Sequence, residues 1–272
     1  MAGYDMDIKS YKKDFDYSYT LGAFPTFELI EAKASEIVEV FCSASFTDYQ
    51  KLEKKCREKG VKLSVNDKVI NKLSDKGNVY VVGVFKKYLQ ELDNSLPHVV
   101  LVNPSDMGNL GTIIRTAAGF NIMDIAIIEP AADIFNPKTV RASMGSVFRT
   151  RQKRFSSFDD YLKYVCTDEQ GKSSINPVIQ RLDDRIGQEN GGDLSNREIF
   201  TFMLNGERPL TINDCPKPKL YSLVFGNEAT GLPDEFLNYG TSIIIPQTEY
   251  VDSLNLTIAA GIGMYVFSQK KA

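Results

Sequence analysis

Three stretches of the chain combine polar side chains with glycine in the way a ligand-binding loop requires: Asn103 to Gly111, Gly226 to Gly231, and Pro246 to Asn255. Each follows an apolar run that reads as a β-strand, and ligands of α/β sheets settle at such strand ends. Glycine lets a ligand approach backbone amides and carbonyls closely, the contact a nucleoside-like cofactor needs. No G-x-G-x-x-G pattern and no Walker lysine accompanies these loops, so dinucleotide and ATP sites have no support. The single histidine, His98, precedes the first of these strands and reads as structural, which narrows acid–base chemistry near neutral pH. Cys42, Cys56, Cys166 and Cys215 lack any paired spacing; they read as reduced core thiols, and no metal site is expected.

The elements that must position these loops form an alternating α/β pattern. From Pro97, "HVVLVNP" is a strand, "TIIRTAAGF" a helix and "MDIAIIE" the next strand, one βαβ unit. Later come strand "YSLVF", the turn "GNEATG", strand "SIIIP", and the helix "LNLTIAAGIGMYVF" with Leu254, Ile258, Ile262 and Val266 on one face. A smaller α/β module precedes them. In it, Phe27, Ile30 and Ala34 mark a helix, "IVEVFCS" a strand, and Tyr49, Leu52 and Cys56 a second helix opened by a Thr47–Gln50 capping box and ended at Gly60. "VKLSV", a short helix around Val69, Ile70 and Leu73, and "VYVVGVF" complete it. The division expected is a polar N-terminal tail at 1–20, the small module at 21–90, a linker at 91–96 and the larger unit at 97–272. An acidic surface insertion is expected at about 159–198.

With 272 residues, 43% hydrophobic and 25% charged, the composition is that of a globular protein. The net charge of −3 gives no general attraction to polyanions, so any nucleic-acid contact must be local. Lys138, Arg141, Arg149, Arg151, Lys153 and Arg154 occur without an acidic neighbour up to Phe158 and are the best candidate for one. Lys51, Lys54, Lys55, Arg57, Lys59 and Lys62 form a second cluster, readable as a phosphate-facing surface or as a solvated helix face. The N-terminus lacks an apolar stretch of signal-peptide type, and no apolar run is long enough to span a bilayer; the expectation is a cytoplasmic protein without membrane contact.

Taken in order, "NPSDMGNLGTIIRTAAGF", "NPKTVRASMGSVFR", "LVFGNEATGL" and "IIIPQTEYVDSLNLTIAA" resemble the SPOUT class of RNA methyltransferases. Within that class they resemble the TrmH/SpoU family of ribose 2'-O-methyltransferases. The resemblance covers about residues 97 to 272 and implies S-adenosylmethionine as cofactor. It implies a knotted α/β methyltransferase domain with a deep trefoil knot, and a homodimer whose active site lies near the subunit interface. Residues 21 to 90 resemble the family's small ribosomal-protein-like domain that binds substrate RNA. By the same resemblance Arg115 is catalytic with Asn109 beside it, Glu228 belongs to the second motif, and Ser253 and Asn255 lie near the reacting ribose. Gly226, Asn227, Ile245 and Leu254 form the cofactor pocket. Thr248, Glu249 and Tyr250 depart from the glycine and small apolar residues usual in the third motif.

The residue types allow this chemistry. Arginine stays protonated at neutral pH, so Arg115 suits holding an RNA phosphate and stabilising a developing 2'-alkoxide, although family proposals cast it as the base. Glu228 can attract a sulfonium or simply bond turn amides, and Ser253 and Asn255 can also cap the last helix. RNA contacts are expected from Arg141, Arg149, Arg151 and Arg154. The expected substrate is ribosomal RNA ahead of transfer RNA, the rival reading being a catalytically silent RNA-binding or assembly factor on the same fold.

Overall fold

The computed structural model describes residues 8–74, 78–166, 197–216 and 218–269. Residues 17–86 hold a four-stranded sheet made of β1 (Tyr17–Tyr19), β2 (Ile37–Cys42), β3 (Leu63–Val65) and β4 (Val81–Lys86), in the order β1-β4-β2-β3. Strand alternation sends its side chains to two faces. Val40, Cys42 and Val81 pack on α1 (Ala23–Lys33) and α2 (Tyr49–Glu58) through Ile30, Leu52 and Cys56. Phe41, Val82 and Val84 pack on Ile70 and Leu73 of α3 (Asp67–Leu73), a helix capped by the Asn66 side chain. Helix α2 opens without the expected Thr47–Gln50 box: Asp48 occupies the cap position and makes no side-chain cap bond.

The polar N-terminal segment is not a loose tail over its described part. Ile8 is buried, Tyr11 bonds Asp133, β1 pairs antiparallel with β4, and the Ser18 hydroxyl donates to the Phe135 carbonyl. Its lack of periodicity reflects a strap that crosses from one sheet to the other. Phe85 of β4 continues the connection by packing edge-on against Phe135 and Phe148, so both sheets share one apolar cluster.

The larger sheet comprises β5 (His98–Val102), β6 (Asp124–Ile128), β7 (Arg151–Phe155), β8 (Glu198–Phe202), β9 (Arg208–Pro209), β10 (Tyr221–Phe225) and β11 (Thr241–Ile244). Its order is β7-β6-β5-β10-β8-β11-β9, and every pairing is parallel. Strands β5, β6 and β10 are buried throughout, as expected for parallel strands covered on both faces. One face carries α4 (Met107–Gly119), α5 (Pro137–Ala142) and α7 (Leu256–Ser268); the other carries α6 (Phe158–Val165). The chain proceeds from β5 outward to β7, then returns to the far side of β5, which opens a crevice between β5 and β10.

Three expectations need correction. The proposed insertion at about 159–198 gives up both ends to the core: Tyr161, Leu162 and Val165 of α6 are buried, and so is Arg197, just before β8. Residues 167–196 of it lie outside the described part. The basic stretch before Phe155 supplies the edge strand β7. In α7 the buried face runs through Leu256, Ala260, Met264 and Phe267 and takes in Val266 of the expected stripe, with Ile262 packed beside it, while Ile258 is 54% exposed and Leu254 precedes the helix.

His98 is structural. Its Nε2 faces the Asp93 carbonyl at 3.0 Å and so carries the proton, leaving Nδ1 to accept from the Tyr161 hydroxyl at 3.0 Å. Burial, and then the Arg197 guanidinium nearby, push its pKa down to about 3. An unfolded histidine titrates near 6.5, so the unfolded chain takes up a proton first as pH falls, and stability present above that value is lost between there and 3. Denaturant unfolding should therefore lose up to about 1.4 kcal/mol per pH unit from this group between about pH 6.5 and 5, above the carboxylate range. His98→Gln should flatten that slope; an equal slope in the variant would assign it to other groups.

Candidate active site

The ends of β10, β8 and β11 enclose a cleft of about 370 Å³. Its walls include Gly226, Asn227 and Glu228 after β10, Ile245 and Gln247 after β11, and Ser253 and Leu254 before α7. Six expected residues therefore converge on one cleft. Reasoning from sequence missed a fourth wall, Met203 to Asn205 after β8, because it took the surrounding segment for surface. The available signal was an apolar run ending in "NG", the same strand-to-turn grammar as the other loops. Phe202 and Phe225 stack at 4.4 Å between centroids along the apolar wall.

Gly226 serves the loop before any ligand. A Cβ there would lie 2.1 Å from the Gly231 carbonyl carbon, and Asn227 and Gly231 form a backbone bridge just beyond it. The Asn227 side chain donates to the Asn103 carbonyl at 2.7 Å and accepts from the Ala229 amide at 2.8 Å, joining the β10 loop to the loop after β5.

Glu228 completes that junction. Its carboxylate accepts from the Ser105 amide at 3.0 Å, the Ser105 hydroxyl at 2.8 Å and the Asp106 amide at 3.1 Å, with Asn109 Nδ2 at 3.4 Å. Burial works to raise its pKa, yet the combined hydrogen bonds, led by the Ser105 amide, lower it below the usual glutamate value. Of the two readings of Glu228, the turn-bonding one accounts for both oxygens. Asp106 in turn caps α4 by accepting from the Asn109 amide at 2.7 Å.

Asn109 thus reaches the site through Glu228, whereas Arg115 does not. Six residues further along α4, it lies about 9 Å up the axis and about 120° around it, exposed and absent from the cleft wall. Asn255 also stands outside the wall, accepting from the Thr257 amide at 2.8 Å as the cap of α7. The altered third motif forms an exposed loop whose ends, Gln247 and Ser253, line the cleft, with Tyr250 88% exposed near its middle.

The basic stretch is largely neutralised within the chain. Arg149 pairs with Glu28, Arg151 with buried Asp124 at 2.5 Å, Lys153 with Glu91 at 2.6 Å and Arg154 with Glu129. Carboxylates distant in sequence already hold those cations, so a polyanion there has to compete with them. Arg141 and Lys138, on α5, have no ion pair among the described residues. In α2, Lys55 and Lys59 converge on Glu31, and Lys62 pairs with Glu39.

The cleft itself carries the opposite electrostatics. Glu228 and Asp234 are its charged wall residues, and no lysine or arginine lines it among the described residues. Such a wall suits a cationic or neutral nucleoside better than a nucleotide phosphate.

Comparison with known proteins gives the kinship. The model of the SpoU rRNA Methylase family matches residues 97–176 and 188–265. An uncharacterized tRNA/rRNA methyltransferase of Synechocystis is 30% identical over 168 residues, covering 61% of this chain and 51% of that protein. A 23S rRNA (uridine(2479)-2'-O)-methyltransferase of Streptomyces viridochromogenes is 28% identical over 168 residues, covering 61% of this chain and 50% of that one. The chain thus spans about half the length of these curated relatives. The AdoMet-bound rRNA methyltransferase of Sinorhizobium meliloti superposes with a TM-score of 0.68 at 26% identity, covering 93% of this chain and 87% of that one.

The Glu228 junction makes a direct prediction. Glu228→Ala strands two amides and a hydroxyl, which should cost about 1–3 kcal/mol of unfolding free energy. Ligand affinity of the cleft should fall with it, since the β10 loop is one wall. Urea titration checks the first and calorimetry the second; unchanged stability would show that the junction does not hold the loops.

Proposed function

The chain belongs to the SpoU rRNA methylase family, and from that premise we propose that it transfers a methyl group from S-adenosylmethionine to a ribose 2'-hydroxyl of RNA. The observation that carries this reading is the cleft, which combines apolar walls with Glu228 and Asp234 and lacks any cation among the described residues. That donor set fits an adenosyl group bearing a sulfonium. When bound, the cofactor would supply an electrophilic methyl: the C–O bond to the ribose would form as the S–CH3 bond breaks, the neutral S-adenosylhomocysteine would leave, and the hydroxyl proton would pass to solvent, a transfer that needs alignment and no covalent enzyme intermediate.

The chain's own residues orient and stabilise. Gly226, Asn227, Ile245 and Leu254 would hold the cofactor, with Glu228 and Asn109 fixing the loop geometry. Ser253 stands at the rim, where the ribose must enter, and Asn255 fixes the start of α7 beside it. The Arg115 guanidinium holds the RNA phosphate and stabilises the charge developing on the ribose oxygen. Since Arg115 lies outside its own cleft, it is assigned to the cleft of a second copy. The exposed face of α4 and α7, with Ile258 54% and Tyr265 46% exposed, is the proposed homodimer contact. We extend the reading to the knotted C-terminal course that the family resemblance implies. Residues 21–90 act as the RNA-choosing domain and 91–96 as its linker. Arg141 supplies the uncommitted RNA contact, with Arg149, Arg151 and Arg154 contributing only after exchanging their carboxylate partners. The substrate is a cytoplasmic RNA, ribosomal before transfer.

Calorimetry with S-adenosylmethionine tests the cofactor, and mapping ribose methylation in RNA with and without the gene tests the address. Absence of binding by folded protein would overturn the assignment. Arg115→Ala should lower single-turnover methyl transfer by about 10²-fold or more while leaving cofactor affinity intact. Co-expressing Arg115→Ala with a Gly226→Trp chain should restore part of the rate, because the mixed dimer has one complete site. Failure of restoration in a verified mixed dimer would return Arg115 to its own chain's reaction.

A further inference from the structure

The cleft wall holds two carboxylates, and the protein itself occupies only one of them. Glu228 receives the Ser105 amide and hydroxyl on one oxygen and the Asp106 amide and Asn109 Nδ2 on the other, which fills the about four acceptor positions of a carboxylate. Asp234 differs. Its Oδ1 accepts from Asn205 Nδ2 at 3.1 Å, its Oδ2 accepts no hydrogen bond from the described residues, and no lysine or arginine among them lines the cleft beside it. The open negative charge of this cleft therefore stands at Asp234.

Two anchored segments hold the Asn205–Asp234 pair. Asp234 opens the short 3-10 turn Asp234–Asn238, flanked by buried Leu232 and pinned by buried Phe236, which packs on Phe158 at 4.9 Å between ring centroids. Asn205 sits in the turn that leaves β8, closed by the Gly206 amide donating to the Met203 carbonyl at 3.2 Å. Gly206 is pressed against β11: a Cβ there would come 2.5 Å from the Ile243 carbonyl carbon. The Asp234 carboxylate is thus exposed to solvent yet fixed at the mouth of the cleft.

Its place decides what it can meet. The apolar wall, with Phe202, Phe225, Ile243 and Ile245, belongs to the core on the α7 face of the sheet, and Ser253 leads into that helix. Asp234 enters from the opposite face, where Leu232 and Phe236 join the core under α6. The sulfur of S-adenosylmethionine carries three arms. With the adenosyl arm on the apolar wall and the methyl aimed at the Ser253 rim, the aminocarboxypropyl arm runs towards Asp234.

We propose that Asp234, held by Asn205, receives the α-ammonium of that arm, so that the cleft selects the complete cofactor over nucleosides lacking the amino-acid part. This inference rests on the reading of the cleft as the S-adenosylmethionine site. An ammonium brings three donors and a unit charge to a carboxylate with one open oxygen, while the arm's own carboxylate is repelled by Asp234 and stays in water. Asn205 is a positioning residue: its amide orients the carboxylate and leaves Oδ2 for the ligand.

Calorimetry with three probes isolates the arm. S-adenosylmethionine and S-adenosylhomocysteine both carry it, the second on a neutral sulfur, whereas 5'-methylthioadenosine keeps the nucleoside and lacks the arm. The wild-type chain should hold S-adenosylhomocysteine about fivefold or more tighter than 5'-methylthioadenosine. Asp234→Asn keeps an acceptor for Asn205 and removes the charge; it should weaken both armed ligands by about fivefold, the scale of an exposed charge pair, and leave 5'-methylthioadenosine within about twofold. Asn205→Ala should reproduce this pattern at about two- to threefold, and equal binding by that variant would remove Asn205 from the site. A merely structural role would lower all three ligands together. Equal loss for all three in Asp234→Asn, loss confined to S-adenosylmethionine, or no loss at all overturns the ammonium assignment and leaves the methyl-transfer reading standing. If the wild-type chain binds none of the three, both fall.

Discussion

The carboxylate of Glu228 is the tie on which the candidate site depends. Strands β5 and β10 are neighbours in space and far apart in sequence, and their loops leave the sheet side by side. Each loop exposes backbone amides that need acceptors. One ionised side chain from the β10 loop satisfies amides of both Ser105 and Asp106, directly beside the residue that caps α4. The turn geometry after β5, the start of α4 and the wall of the cleft are thus set by one charge-assisted cluster. Gly226 makes this possible, because any side chain there would collide with the Gly231 backbone and push the loop outward.

A second constraint is how the chain distributes charge. Arg149, Arg151, Lys153 and Arg154 are held by Glu28, Asp124, Glu91 and Glu129, so the basic stretch functions first as internal fastening. Two of these pairs cross structural boundaries: Arg149–Glu28 joins the region after α5 to α1 of the small sheet, and Lys153–Glu91 clips the linker to β7. Together with the Tyr11–Asp133 and Ser18–Phe135 bonds, they fix the small sheet against the large one. A proposed RNA-choosing domain anchored in this way presents its target at a defined distance from the cleft.

Much of this was legible in the sequence. Strands β5, β6, β10 and β11 stood out because buried parallel strands read as continuous apolar runs. The same reasoning failed for β7, an edge strand whose "RQKRF" resembles a surface patch until Glu91, Asp124 and Glu129 are seen beside it. The stripe chosen on α7 was half right, since Ile262 and Val266 meet the core and Ile258 does not: this helix is apolar on several sides, and periodicity cannot say which side meets the sheet. The Glu228 junction was visible only as alternatives, since its partners lie more than a hundred residues upstream. Resemblance located the cleft residues, but nothing local to Arg115 indicated that it faces away from its own chain's cleft.

That separation bears on how the proposed methyl transfer would be organised. A cleft that stabilises a sulfonium should avoid nearby cations, while a site that receives RNA must provide them. Satisfying both within one small pocket would place guanidinium beside sulfonium and weaken cofactor binding through like-charge repulsion. In the proposed reading Arg115, exposed on α4, comes in from a second chain, which would resolve the conflict because the cation would then arrive only on the side from which the ribose approaches. In the proposed arrangement cofactor binding would depend little on ionic strength and RNA binding strongly, with the two ligands meeting only at the ribose oxygen and the methyl group.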